Sequence, residues 1–200
     1  MYMKKFAKSR PIVIEPYQPR WVDDFIYIGS KLRLALGDTV IRIDHVGSTS
    51  VPTLSAKDIV DIQITVADLS SEAIVRKLRS AGFQGDAELR YDEFIGFDDA
   101  QTEELEKLYF REREGDSRTH IHIREDGRFN QRYALLFRDF LRADEISRTG
   151  YGLIKERLSN VFPESNDGYL YIKDPLMDMI FHMAETWAGK TNWSPSDDYL

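Results

Sequence analysis

Residues 45–66, HVGSTSVPTLSAKDIVDIQITV, contain the two segments on which the predicted fold depends. The first segment follows an alternating apolar run at residues 39–46, which predicts a strand that opens into a tight turn. The turn is small and rich in hydroxyl groups, and it consists of Gly47, Ser48, Thr49 and Ser50. Glycine permits close approach and hydroxyls add donors, so backbone N–H groups in such a turn can converge on a phosphate. Turns of this composition also simply end strands.

The second segment, residues 58–66, alternates between apolar and polar side chains with a period of two. This pattern predicts a strand with one face in the core and a polar face that begins with Asp61. Lys57 lies just before the strand, where we expect it to neutralise charge near the turn. A phosphate-sized turn, a lysine and a strand carboxylate together are typical of a site for a metal-chelated nucleotide.

Residues 42–66, RIDHVGSTSVPTLSAKDIVDIQITV, resemble the signature of the GrpB family, which is similar to the nucleotidyltransferase superfamily of DNA polymerase beta. The other matching stretches are IVIEPYQPRW at 12–21, THIHI at 119–123, and LLFRDFLRA at 135–143 continuing into GYGLIKERL. The resemblance covers nearly the whole chain in order. It implies an α+β fold with a nucleotidyltransferase-like mixed β-sheet, flanking helices and a helical C-terminal layer.

The bulk properties of the 200-residue chain predict a single domain, residues 1–200, with a sheet part at about 10–125 and a helical part at about 126–190. The sequence has no cysteine, which excludes disulfides and thiolate metal sites and favours a reducing cytoplasm. We expect no signal peptide and no membrane association, because no apolar stretch is long enough. A net charge of -7 argues against bulk nucleic acid binding and favours a small ligand. The sequence does not predict an oligomeric state.

The order of predicted elements, strands and helices mixed first and helices grouped last, also indicates an α+β fold. Strands are expected at residues 12–14, 39–46, 58–66 and 118–124, with weaker signals near 89–97 and 106–113. Helices are expected at about 21–36, 71–81, 129–143, 145–160 and 174–188. Asp174-Pro175 is a favourable start for the last helix, an N-cap followed by proline. Residues 84–117 could form a flexible lid or an irregular extension of the sheet.

The metal ligands that the resemblance implies are incomplete in this sequence. In the wider superfamily the strand after the turn carries two carboxylates one residue apart, a later strand adds a third, and together they hold two divalent ions. Asp61 occupies the first position, but Gln63, a neutral amide, occupies the second, which puts two-metal catalysis in doubt. Asp58 should point to the other face of the strand and is a poor substitute.

His120 and His122 lie two residues apart on a predicted strand, so their side chains share one face. They could bind a divalent metal beside Asp61, donate to phosphate or assist proton transfer, if the two strands are neighbours. Alternatively, they are partly buried and bonded to nearby carbonyls. His45 could join them, although its parity with Ile41 and Ile43 favours the opposite face.

A group of cationic residues in the helical half has two interpretations. Arg138 and Arg142 lie one turn apart and could face a triphosphate, or they could form structural ion pairs. Lys155 has the same two interpretations, whereas His182 lies among apolar residues and is expected to be structural.

The sequence therefore predicts transfer of a nucleotidyl group from a nucleoside triphosphate to a small acceptor. The predicted ligands of Mg²⁺ or Mn²⁺ are Asp61, His120 and His122, and Lys57, Arg138 and the 47–50 turn are predicted to bind phosphate. Two alternatives remain open. One is a non-catalytic nucleotide- or phosphate-binding module with a degenerate metal site, which Gln63 favours, and the other is a metal-dependent phosphohydrolase that uses the histidine pair.

Overall fold

Five strands form one mixed sheet in a computed structural model that describes residues 6–85, 90–97, 99–196 and 200. The strands are β1 (Val40–Val46), β2 (Val60–Val66), β3 (Arg90–Tyr91), β4 (Glu106–Arg111) and β5 (Thr119–Glu125). Their order across the sheet is β1-β2-β5-β4-β3. β2 and β5 are parallel, and the other neighbouring pairs are antiparallel.

One face of the sheet is covered by two helices, α1 (Arg20–Leu36) and α2 (Glu72–Ser80). The apolar side chains of α1 recur every three or four residues, so Phe25, Ile28 and Leu32 are buried on one stripe. They pack against the inward side chains of the strands, which include Ile62 and Ile64 of β2. This core fixes which face of β2 is apolar and leaves Asp61 on the other.

Three helices form the C-terminal layer on the opposite face of the sheet: α3 (Phe129–Ala143), α4 (Glu145–Val161) and α5 (Asn166–Thr191). They enclose a second core, in which Phe137 and Phe140 of α3 pack near Phe181 of α5. The α+β architecture with a helical C-terminal layer, expected from the sequence, is confirmed. Among the described residues, no helix has the length and apolar character needed to cross a bilayer.

Two features of the predicted secondary structure are wrong. Helix α5 begins at Asn166 rather than at Asp174, because the side chain of Ser165 accepts a hydrogen bond from the backbone of Gly168 and caps it. Pro175 therefore lies inside the helix, at an exposed position where water can reach the carbonyl that its missing N–H leaves free. The expected strand at 12–14 is reduced to one bridge between Glu15 and Ala56.

Residues 84–117, where the sequence gives only weak strand signals, contain less regular structure than expected. The strand near 89–97 is confined to β3, whereas β4 matches its prediction at 106–113 well. A 3₁₀ segment, Asp99–Leu105, lies between β3 and β4. Residues 86–89 and 98 lie outside the described part of the chain.

Candidate functional site

The parallel pairing of β2 and β5 brings the predicted metal ligands together. Asp61 is opposite His120, and Gln63 is opposite His122, so alternation puts all four side chains on the face away from the first core. Nδ1 of His120 lies 3.3 Å from Oδ1 of Asp61. One ligand atom from each of Asp61, His120 and His122 lies within 4.8 Å of the other two. We call these three residues the carboxylate–imidazole cluster.

The charge state of the cluster follows from its surroundings. Burial alone would raise the pKa of Asp61, but the hydrogen bond from His120 and the neighbouring imidazoles lower that pKa overall, so Asp61 is an anion at neutral pH. Burial lowers the pKa of His122 well below its usual range, and the charges of Arg124 and Lys107 act in the same direction. His122 is therefore a neutral imidazole that can lend a lone pair.

The cluster fits a divalent metal ion by its donor chemistry. One carboxylate oxygen and two imidazole nitrogens suit Mn²⁺, Zn²⁺, Fe²⁺ or Co²⁺ better than Mg²⁺, which prefers oxygen ligands throughout. Nδ1 of His122 is buried and has no hydrogen-bond partner in the described part of the chain. A buried ring nitrogen without a partner is costly, and a bound ligand in the cluster is one way to fix the ring and relieve that cost.

Gln63 does not act as a substitute for the second carboxylate. Its Oε1 accepts a hydrogen bond of 2.7 Å from Arg124, and its Nε2 donates one of 3.0 Å to the backbone carbonyl of Gln131 in α3. The side chain is fully buried and both of its polar ends are occupied. Gln63 therefore connects the sheet to the helical layer, and the cluster contains a single carboxylate.

The 47–50 turn lies against the cluster. Gly47 has a φ of +68°, and a Cβ placed there would lie 2.2 Å from Oδ2 of Asp61, so only glycine fits. Thr49 and Ser50 are buried, and their hydroxyls bond to His45 and to the carbonyl of Gly47. These two hydroxyls are thus engaged within the protein, whereas Ser48 lies at the partly exposed side of the turn and bonds to Tyr151.

Three lysines line the side of the site next to the turn, and we call Lys57, Lys155 and Lys173 the lysine wall. Nζ of Lys57 lies 4.5 Å from the ring centroid of Tyr169 and donates to the neutral side chain of Asn166. Lys155 is 3% exposed and donates to the backbone carbonyl of Ser55.

The charges of the lysine wall are only partly balanced. Lys173 forms an ion pair of 2.9 Å with Asp174, but no carboxylate in the described part of the chain pairs with Lys57 or Lys155. Burial, together with the charge of Lys173, lowers the pKa of Lys57 to about 8 and that of Lys155 to about 7. Asp61 acts in the opposite direction on both lysines, which indicates that the wall and the cluster share one electrostatic environment.

Several predicted or considered residues lie elsewhere. Arg138 is 1% exposed and is held by Asp44, Asp139 and the carbonyl of His45, so it serves a buried ion-pair network rather than facing the opening of the site. Arg142 donates to the carbonyl of Ser50 and supports the turn from behind.

The two remaining histidines also lie outside the cluster. His45 is stacked on Phe25 of α1, with 4.9 Å between ring centroids. It therefore lies on the face of the sheet that contains the first core, as its alternation with Ile41 and Ile43 predicts. Burial lowers the pKa of His45 to about 3, so this ring stays neutral. His182 is exposed on α5.

Two residues of β4 belong to the site although the sequence analysis did not identify them. Tyr109 pairs with His122 and Arg111 pairs with His120, which places both side chains on the face of the cluster. The Tyr109 ring lies 5.6 Å from the ring of His120 and 5.5 Å from that of His122. The alternation of Tyr109 and Arg111 was a possible signal, but only the pairing of β4 with β5 locates them beside the histidines.

The fold and the site together define an α+β protein whose mixed sheet carries one carboxylate and two imidazoles beside a glycine turn. The chain belongs to the GrpB family, since the family model for "GrpB protein" matches residues 11–183. The crystal structure of conserved protein GrpB from Enterococcus faecalis has a TM-score of 0.71 and 27% identity, covering 88% of this chain and 99% of that chain. That match establishes the fold.

One further match is to a relative found by sequence, and another is to a solved structure. Dephospho-CoA kinase of Mycolicibacterium paratuberculosis (strain ATCC BAA-968 / K-10) is 31% identical over 204 residues, which cover 92% of this chain and 49% of that protein. The chain thus spans about half the length of the curated relatives that it matches. A weaker structural match is Cid1 in complex with its short product ApU, with a TM-score of 0.45, 15% identity, and coverage of 71% of this chain and 42% of that chain.

Proposed function

We propose that this protein transfers a nucleotidyl group from a nucleoside triphosphate to a hydroxyl group of a small acceptor. The observation that carries the proposal is the position of the carboxylate–imidazole cluster directly beside the 47–50 turn, with Gly47 in contact with Asp61. A cluster of this kind places a general base and metal ligands within reach of a phosphate bound at the turn.

The lysine wall supports the phosphate-binding part of the proposal. Lys155 is buried and Lys57 is partly buried, and neither pairs with a carboxylate among the described residues, which is unfavourable because charge is removed from water without compensation. A triphosphate supplies several anionic oxygens and would offset that cost. In this arrangement Lys57 and Lys155 neutralise the charge that develops on the departing pyrophosphate, as amides of the turn hold the adjacent phosphate.

The reaction needs one proton acceptor and one leaving group, and the site has candidates for each role. The acceptor oxygen attacks the α-phosphorus, a new P–O bond forms, and the bond to pyrophosphate breaks. His120 or Asp61 takes the proton of the acceptor hydroxyl with the ring nitrogen or carboxylate oxygen that is not used as a metal ligand, since these two groups are partly exposed at the face where the acceptor enters. Pyrophosphate leaves toward the lysine wall.

Asp61, His120 and His122 would hold the divalent ion. When bound, such an ion polarises phosphate oxygens and helps to deprotonate a hydroxyl at neutral pH. His122 contributes as a neutral donor, and Gly47 keeps the carboxylate of Asp61 close to the turn. Since the donor set includes two imidazoles, we propose Mn²⁺ or another imidazole-binding ion ahead of Mg²⁺.

Calorimetric titration of ATP in the presence of Mn²⁺, Zn²⁺ or Mg²⁺ tests the proposal directly. The wild type should bind ATP more tightly with Mn²⁺ than with Mg²⁺, and His120→Ala should lose at least about tenfold in that metal-dependent affinity. His182→Ala is a matched control, because His182 is an exposed histidine outside the cluster. Failure of the wild type to bind any of the four ribonucleoside triphosphates with each ion would end the proposal.

A non-catalytic nucleotide-binding module is the second candidate, and the single carboxylate of the cluster is the observation that favours it. Product analysis with labelled triphosphate separates the possibilities: nucleotidyl transfer releases pyrophosphate, phosphohydrolysis releases orthophosphate, and a binding module releases neither. The relative named dephospho-CoA kinase is about twice as long as this chain, so its name does not define the activity of the matching half.

A further inference from the structure

The open part of the sheet face continues beyond the carboxylate–imidazole cluster onto β4. Strand pairing puts Asp61, His120 and Arg111 side by side across three neighbouring strands, and Tyr109 lies next to His122 two residues further along the strands. These four side chains are partly exposed, whereas Gln63 and Arg124 on the same face are buried against other side chains. The uncovered surface therefore runs from the cluster to Arg111, away from the lysine wall.

Arg111 is only lightly engaged in the described part of the chain. Its Nη2 makes one ion pair of 3.3 Å with Glu112, and its Nε is buried without a hydrogen-bond partner, which leaves the Nη groups as the donors on the exposed side. Glu112 is itself held in place, because its other oxygen accepts a 3.0 Å hydrogen bond from the backbone of Thr119. Glu112 thus orients the guanidinium without saturating it, since a guanidinium offers five N–H donors.

We propose that Arg111, with the ring of Tyr109 beside it, binds an anionic group of the acceptor. This inference rests on the proposed function, because it assigns the side of the site opposite the triphosphate. A guanidinium recognises phosphate and carboxylate through paired, planar hydrogen bonds, which makes anionic oxygen the chemistry that this residue selects. The acceptor is accordingly a small hydroxylated molecule that carries a phosphate or a carboxylate.

The strand spacing limits the size of this acceptor. Neighbouring strands are about 4.8 Å apart, so two spacings, about 10 Å, separate the backbones of Asp61 and Arg111. Both side chains project from the same face, and an acceptor hydroxyl near Asp61 would lie only a few bonds from the group held by Arg111. The ring of His120 lies between the two ends, and the ring of Tyr109, 5.6 Å from it, adds apolar surface for the carbon skeleton.

The test uses three probes that share a three-carbon hydroxylated skeleton: glycerol 3-phosphate, glycerate and glycerol. Binding of each is measured by ligand-observed NMR or calorimetry to the full chain with Mn²⁺ and a non-hydrolysable ATP analogue present. The wild type should bind at least one anionic probe about tenfold more tightly than glycerol, and the comparison of phosphate with carboxylate identifies which group is preferred. Arg111→Gln should reduce that preference to less than about threefold, and Arg111→Lys should restore part of it.

Arg79→Gln is the control variant, because Arg79 is exposed on α2 and α2 covers the opposite face of the sheet. It should behave as the wild type does. Equal binding of all three probes by the wild type would overturn the inference, as would Arg111→Gln with the preference unchanged. If Arg111→Gln does not fold, Arg111→Lys and the wild-type probe series still decide the question.

Parallel titration of the ATP analogue separates this inference from the proposed function. Arg111→Gln should bind the analogue within about twofold of the wild type, because Arg111 lies on the acceptor side. Loss of analogue binding in that folded variant would place Arg111 on the nucleotide side and overturn the assignment. If the wild type itself does not bind the analogue, the nucleotidyl-transfer proposal fails, whereas the preference for anionic probes is still measured with Mn²⁺ alone.

Discussion

Replacing Lys155 with methionine should stabilise the protein at neutral pH and remove part of its pH dependence. Lys155 is 3% exposed, its ammonium donates to the carbonyl of Ser55, and no carboxylate in the described part of the chain pairs with it. Methionine has a similar length and shape and no charge to bury, so it retains most of the packing.

The magnitude follows from the pKa of Lys155, which burial and the charge of Lys173 lower from 10.5 to about 7. In the unfolded chain the ordinary pKa returns, so between about pH 7 and 10.5 the unfolded state binds more protons than the folded state. The free energy of unfolding therefore rises with pH in this window, by up to about 1.4 kcal/mol per pH unit. The whole difference amounts to roughly 5 kcal/mol, and we expect Lys155→Met to gain on the order of 3 kcal/mol at pH 7 after losing the bond to Ser55.

Urea denaturation of the wild type and Lys155→Met at several values between pH 6 and pH 10 measures this effect. The stability difference between the two proteins should be largest near pH 7 and shrink as the pH rises. Lys190→Met, at an exposed position in the last turn of α5, should follow the wild type. A Lys155→Met variant that is less stable at pH 7, or whose stability parallels that of the wild type at every pH, would refute the reasoning.

Three other variants test the geometry of the site. Gly47→Ala should lose at least about 1 kcal/mol more stability than Gly37→Ala in thermal denaturation, because both need a positive φ but only the Cβ at 47 meets Asp61; equal losses would argue against that contact. Gln63→Asp breaks two buried hydrogen bonds, so it should lower the free energy of unfolding in urea by roughly 2–4 kcal/mol. It should bind no more Mn²⁺ than the wild type in calorimetry, and a gain in Mn²⁺ affinity would contradict this. His122→Ala should weaken Mn²⁺ binding by at least about tenfold, and unchanged affinity would remove His122 from the ligand set.

The sequence predicts the faces of the strands well, because alternation is a local property. The apolar residues of 58–66 and 118–124 reveal which side of each strand is buried, and they place Asp61, His120 and His122 on polar faces. Alternation does not reveal which strands are neighbours. The proximity of Asp61 to His120 depends on a parallel pairing between distant segments, which the sequence leaves as a condition and does not predict.

Two properties were harder to predict from the sequence: which residues on one face of a strand are covered by a helix, and which partners the buried charges have. Gln63 and Asp61 share a face, yet α3 covers Gln63 and leaves Asp61 accessible, so one residue supports the fold and the other belongs to the site. The helix pattern leaves both interpretations of Arg138 open, because its ion-pair partner Asp44 lies on a distant strand and cannot be identified from that pattern. Asp174-Pro175 is a favourable start for a helix, but Ser165 caps α5 earlier, and the tertiary contacts of Tyr169 favour the longer helix.

The parallel pairing of β2 with β5 also has a kinetic consequence. Residues 67–118 separate the two strands, so their association requires closure of a long loop and belongs to the slow, non-local class of folding events. A nascent chain that has emerged only as far as β4 holds Asp61 but neither histidine of the cluster. The proposed affinity for a divalent metal ion would therefore arise only when the sheet is assembled, and we expect its appearance during refolding to report the arrival of β5.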